Sequence, residues 1–189
     1  MTFNLLVATV GRPTLQRLLD SLSPQLEEQD CLTLVFDGHS SHPPVNLSAF
    51  KCKITMYCEP VALGYWGHGI RNKYASLLEK KDFVMHGDDD DTYFPGALKA
   101  LREQCNNTEA LYIARMMHHT CVLPSGDEIR TGNIGTPCGI IPYELNKQGT
   151  WQMEHGGDGR FYEELARLKP TIVYLKTIIY NIRCSVRVQ

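Results

Sequence analysis

Along the first hundred residues, apolar runs alternate with helical stripes, and this narrows the possible folds more than any other feature of the chain. Phe3 to Thr9 is an apolar run that stops at Gly11-Arg12-Pro13, which reads as a buried strand and a tight turn. Leu15, Leu18, Leu19 and Leu22 then fall at i, i+3, i+4 and i+7, the core face of a helix begun by Pro13 and Thr14. Cys31 to Phe36 is a second strand, ending at Asp37-Gly38, and a His-, Ser- and Pro-rich loop covers 39–50. Ile54 to Tyr57 makes a third strand. The glycine-rich stretch Gly64 to Gly69 leads into a helix from Ile70 to Leu78. Phe83 to His86 is a fourth strand, and Pro95 to Gln104 is a helix with Leu98 and Leu101 inward. This order predicts an α/β fold with a mixed, mostly parallel central sheet flanked by helices and a Rossmann-like N-terminal half. Ligands of such sheets gather at the carboxyl ends of the strands. Thr9, Asp37 and Asp88–Asp91 all lie there.

After residue 105 the pattern changes. Ala110 to Met117 and Cys121 to Leu123, with the turn Pro124-Ser125-Gly126, read as antiparallel strands, and Gly139 to Pro142 as one more. A helix with Phe161, Leu165 and Leu168 on one side follows Gly156-Gly157-Asp158-Gly159. Thr171–Leu175 and Thr177–Ile182 read as two last strands. A length of 189 residues suits one domain over 1–189, with a change of character near residue 105. The chain ends in Ser185-Val-Arg-Val-Gln with no closing helix, as in a domain excised from a longer polypeptide.

Composition excludes several classes. A net charge of −2 without a basic tract speaks against a dedicated nucleic-acid binder. The longest apolar runs fall far short of the roughly 20 residues of a membrane span. No basic-then-apolar leader opens the chain, so a soluble cytoplasmic protein is expected. Seven cysteines, an odd number without a Cys-x-x-Cys pair, point to reduced thiols rather than a zinc site or a disulfide framework.

Four adjacent carboxylates, Asp88-Asp89-Asp90-Asp91, follow the fourth strand. Charges this close repel, and a hard divalent cation, Mn²⁺ or Mg²⁺, would relieve them. Such an ion usually takes one or two carboxylates plus substrate phosphates. A helix cap before Pro95 explains one aspartate, not four. An EF-hand loop fails, since its sixth position would be Tyr93 and its twelfth Lys99.

The ordered set of segments resembles family 2 glycosyltransferases of the GT-A fold. Thr9-Val-Gly-Arg12-Pro13 resembles their opening turn, and Val35-Phe-Asp37-Gly38 their second-strand aspartate. Gly64 to Gly69-Ile-Arg71-Asn72 resembles their Gly-rich, Ala-Arg-Asn segment. Phe83 to Leu98 resembles their Asp-x-Asp metal motif with its trailing Pro-x-x-Leu, and Gly156-Gly157-Asp158 their Glu-Asp motif. Within the family the chain resembles domains encoded by chlorella viruses, which would place it in a host cytoplasm.

The resemblance implies a metal-dependent, inverting transfer of a sugar from a nucleotide-sugar donor to a hydroxyl of a glycan acceptor. UDP is the nucleotide that the family favours, although dTDP and GDP donors also occur in it. Residues 1–105 would bind the nucleotide-sugar and 106–189 the acceptor. Thr9 and Arg12 would line the nucleotide pocket, Asp37 would meet the base, and Arg71 the base or phosphates. Asp88 would face the ribose or the metal, Asp90 would bind the metal, and Asp89 would lie on the donor side, with the register open by one residue. Asp158 would be the general base. Gly157 stands where the family commonly has Glu, so a helix cap remains its alternative role. Two other readings compete. Asp88-x-Asp90-x-Thr92 also fits a haloacid-dehalogenase phosphatase, though two strand–helix units precede the motif here. A non-catalytic nucleotide-sugar-binding module would keep the aspartates and tolerate loss of Asp158.

Overall fold

The computed structural model describes residues 1–168 and 170–182. Cys184 and the segment 185–189 lie outside the described residues.

Strands β1 (Phe3–Thr9) and β2 (Cys31–Asp37) are buried at every position, which is why they read as unbroken apolar runs rather than as alternation. Between them helix α1 (Leu15–Leu22) presents Leu15, Leu18, Leu19 and Leu22 to the core, all nearly inaccessible to water. Burying each of these stabilises the fold by roughly 1.5–3 kcal/mol. β3 (Lys53–Glu59) pairs parallel to β2, and β4 (Phe83–Asp88) parallel to β1. Helix α2 (His68–Tyr74) begins two residues before the expected start and ends four before the expected stop. The two-residue strand β5 (Thr92–Tyr93) and helix α3 (Ala97–Gln104) complete the first half.

The second half contains β6 (Leu111–His118), β7 (Cys121–Leu123), β8 (Gly139–Pro142), the short α4 (Tyr143–Asn146), α5 (Gly157–Arg167) and β9 (Ile172–Ile182). The sheet order is β3-β2-β1-β4-β8-β6-β9-β5, with β7 paired to β6.

The sheet is mixed rather than mostly parallel. β3, β2, β1 and β4 run parallel, whereas β8 is antiparallel to both β4 and β6, β7 to β6, and β5 to β9. A parallel neighbour needs a long crossover, usually a helix. In the second half only β9 is reached through such a helix, α5, and only β9 runs parallel to its neighbour β6. The two strands expected over 171–182 are one strand. An irregularity opposite Ile113 and Arg115 shifts its pairing from Tyr174 to Ile178 without ending the strand. Leu168 lies beyond the end of α5 and is half exposed, unlike the buried Phe161 and Leu165.

One buried apolar cluster runs through both halves, from Phe3 and Leu18 to Phe161 and Tyr180. None of the described helices is long and apolar enough to cross a membrane.

Candidate active site

The aspartate turn is held by its neighbours rather than left to repel. β4 ends at Asp88, and the Asp88 backbone N–H donates to the Tyr180 hydroxyl oxygen at 2.8 Å. That hydroxyl in turn donates to the Asp88 carbonyl at 3.2 Å, so the last described strand clamps the end of the fourth. Asp89 is buried. Its carboxylate accepts from the Thr9 hydroxyl at 2.6 Å, the Val10 N–H at 3.2 Å and the Arg12 guanidinium at 2.8 Å. Arg12 also reaches Asp90 at 3.0 Å.

Arg71 is fully buried. It donates to Asp88 at 2.5 Å and to the Trp66 carbonyl at 2.8 Å, and it lies 5.0 Å from the centre of the Trp151 ring. Two guanidiniums, those of Arg12 and Arg71, thus sit against three of the four carboxylates. The side chains of Asp88 and Asp90 are about one-third exposed, at 31% and 34%, whereas that of Asp89 is 5% exposed. Burial pushes the Asp90 carboxyl above its ordinary pKa, and the Arg12 guanidinium opposes that shift.

Asp37, at the end of β2, accepts from the backbone N–H groups of Leu63 and Gly64 at 2.7 and 2.8 Å. It thereby fixes the start of the glycine-rich segment. From Gly64 to Gly67 four successive residues have positive φ: 68°, 53°, 54° and 83°. A side chain on Gly67 would stand 2.6 Å from the Ala8 Cβ and 2.8 Å from the Arg71 Nη1, so only glycine fits. For Tyr65 and Trp66 this backbone is strained, and such strain persists where the surroundings enforce it. It leaves the Trp66 ring 65% exposed, with the His155 ring edge-on at 6.0 Å.

Across from the aspartates, α5 begins at Gly157. Gly156 occupies the cap position in a left-handed conformation, so Asp158 is the second residue of the helix rather than its cap. One Asp158 oxygen accepts from the Gly159 N–H at 2.8 Å. Burial raises the Asp158 carboxyl above its ordinary pKa; the Gly159 bond opposes this, and the Asp88 charge adds to it.

A cavity of about 710 Å³ joins these elements. That is within the size range of small-molecule sites. Thr9, Arg12, Asp37, Asp88, Asp89, Asp90 and Asp158 all line it. Arg71, expected at the donor, does not. It lies beneath the floor and holds Asp88. His118 and His155 line the cavity, as do His68 and the Gly135–Pro137 turn, which the sequence reading passed over. His68 stood in view inside the glycine-rich segment, but a lone histidine there carries no distinctive spacing. His86 is a core residue. It is wholly buried against Asn146 and Trp151, and burial lowers its pKa to about 3.

No protein-family model matches the sequence. No curated protein matches it either. Solved structures share its fold. S. aureus TarS 1-349 in complex with UDP superposes with a TM-score of 0.70 at 17% identity, over 98% of this chain and 61% of that one. The same protein in complex with UDP-GlcNAc gives 0.68 at 16%, over 96% and 58%. HddC from Yersinia pseudotuberculosis gives 0.54 at 12%, over 95% and 91%. This chain therefore spans about 60% of TarS 1-349. At such identities the likeness is one of fold. Nothing in these matches speaks for a viral source.

Proposed function

We propose that the chain is a metal-dependent, inverting glycosyltransferase of the GT-A type, using a nucleotide-sugar donor, with UDP the favoured nucleotide, and a glycan hydroxyl as acceptor. The observation that carries the reading is a single cavity in which Asp88 and Asp90 face the start of α5, where Asp158 stands. The fold shared with TarS, whose structures hold UDP and UDP-GlcNAc, supports the same reading.

The residues fit a divalent cation of one kind. Among the described residues no group of three or more His, Cys, Asp or Glu side chains is disposed to hold a metal. An all-protein cage is therefore not on offer. Two carboxylates, each about one-third exposed, suit an Mn²⁺ or Mg²⁺ ion that also takes diphosphate oxygens. Asp90 and Asp88 would hold it, and when bound it supplies charge neutralisation for the departing diphosphate.

The chain's own groups do the rest. The buried Arg71 holds the Asp88 carboxylate in place. Asp89 and Thr9 tie the 9–12 turn to the aspartates and leave Arg12 at the cavity wall. Asp37 holds the Leu63-Gly64 backbone, and each of its oxygens keeps a lone pair for a base N–H. Asp158 takes the proton of the attacking hydroxyl. A bond forms from that oxygen to the anomeric carbon as the bond to the diphosphate breaks, and the electron pair leaves with the nucleoside diphosphate.

Calorimetric titration with UDP, dTDP and GDP, each with Mn²⁺ and then with EDTA, tests the donor site. Metal-dependent binding of one nucleotide is the expected result, and binding of none in either condition refutes the reading. Retention of the donor's anomeric configuration in the product would refute the inverting role of Asp158.

A further inference from the structure

The cavity contains a polar group that the mechanism leaves without a task. The His68 Nδ1 lies 2.7 Å from the Gln152 carbonyl oxygen. A carbonyl only accepts, so Nδ1 carries the proton. Burial holds the ring below the ordinary histidine pKa, with the Gln152 bond working the other way, so the ring is neutral near pH 7. In a neutral ring with Nδ1–H, Nε2 is a bare acceptor. No described residue donates to it.

The ring is also fixed in place. Trp151 lies 5.5 Å away centre to centre, and a side chain on Gly157 would come within 2.8 Å of its Cε1. His68 is 4% exposed overall and lines the cavity, so its small accessible edge faces the ligand space.

We propose that His68 is a specificity-determining residue, whose Nε2 accepts a hydrogen bond from a hydroxyl or amide N–H of the transferred sugar. A lone pair aimed at a phosphate oxygen gains no hydrogen bond, so the ligand atom opposite must be a donor. His68 feels the charges of both Asp88 and Asp158. In the proposed reaction, the part of the donor that lies between the diphosphate, on the Asp88 side, and the general base Asp158 is the transferred sugar. The inference rests on the nucleotide-sugar reading above.

The test titrates UDP, UDP-glucose, UDP-galactose and UDP-GlcNAc, with Mn²⁺, into the wild type, His68→Phe and His68→Asn. Asparagine keeps a donor for the Gln152 carbonyl but places nothing at Nε2, so it carries the test if phenylalanine disturbs the fold. For at least one sugar, the ratio of the UDP-sugar Kd to the UDP Kd should rise about tenfold in both variants, the worth of one hydrogen bond. UDP itself should stay within about twofold. A ratio unchanged for every sugar overturns the inference. So does a loss of UDP binding equal to the loss of UDP-sugar binding, or a wild type that binds UDP and none of the sugars. A wild type that binds none of UDP, dTDP and GDP fails the nucleotide-sugar reading instead, and one that binds dTDP or GDP takes the same test with that nucleotide's sugars.

Discussion

The two walls of the cavity manage charge by different means. On the wall built by β1, β2 and β4, carboxylates are held by partners: Arg71 under Asp88, Thr9 and Arg12 on Asp89, backbone N–H groups on Asp37. On the wall that meets the start of α5, Asp158 and His68 hydrogen-bond, among the described residues, only to backbone groups. Burial pushes the Asp158 carboxyl up and the His68 imidazole down, each toward its neutral form. The contrast matches the division of labour. A wall proposed to hold a cation and a diphosphate needs fixed charge, whereas a general base such as Asp158 needs a pKa moved toward the working pH and a hydrogen-bond acceptor such as His68 needs to stay neutral.

The largest expected effect falls on the second wall. Asp158→Asn should lower the transfer rate by roughly 10²–10⁴ while UDP affinity stays within about twofold. Full turnover in a sugar-release assay would remove the base from that wall. Next is the first wall's foundation. Arg71→Met leaves the one-third-exposed Asp88 without its buried partner and should cost about 1–3 kcal/mol of stability in a denaturant titration. A loss below about 1 kcal/mol would mean that Arg71 is not the support of the aspartate turn.

A smaller effect concerns pH. A base with a raised pKa loses its ionised form sooner as pH falls. The acid limb of kcat should therefore lie above the ordinary carboxylate range near 4, and Asp158→Asn should abolish it. A limb at or below 4 in the wild type would contradict the burial argument. Smallest, the exposed Trp66 is placed to stack on a sugar ring at the cavity mouth, and Trp66→Ala should raise the KM for the glycan acceptor about three- to tenfold with donor KM unchanged. An effect on the donor alone would move Trp66 to the other wall.

These walls were not equally legible in the sequence. The first follows from local signals: leucines at helical spacing, apolar runs, and acidic residues where each run stops. Four adjacent aspartates advertised their repulsion. What that argument missed is that the chain supplies two of the counter-charges itself, because a buried arginine looks like a surface or ligand-binding one when read along a helix. The second wall depends on contacts between distant segments. Lys176 broke the apolar run of β9 and made one strand look like two. The Tyr180 clamp on Asp88 spans 92 residues and leaves no local trace. Asp158 was found through its resemblance to a motif, and its place inside the helix rather than at the cap needed the geometry.

That clamp also bears on how the protein is made. Synthesis proceeds from the N-terminus, and domains fold as their residues emerge. The parallel strands and the aspartates are available once about the first hundred residues have left the ribosome, yet the backbone of Asp88 has no phenol to hold it until Tyr180 follows. The nascent chain thus carries its acidic turn before it can shape it, and under the proposed function a partly made polypeptide should bind nucleotide-sugars poorly.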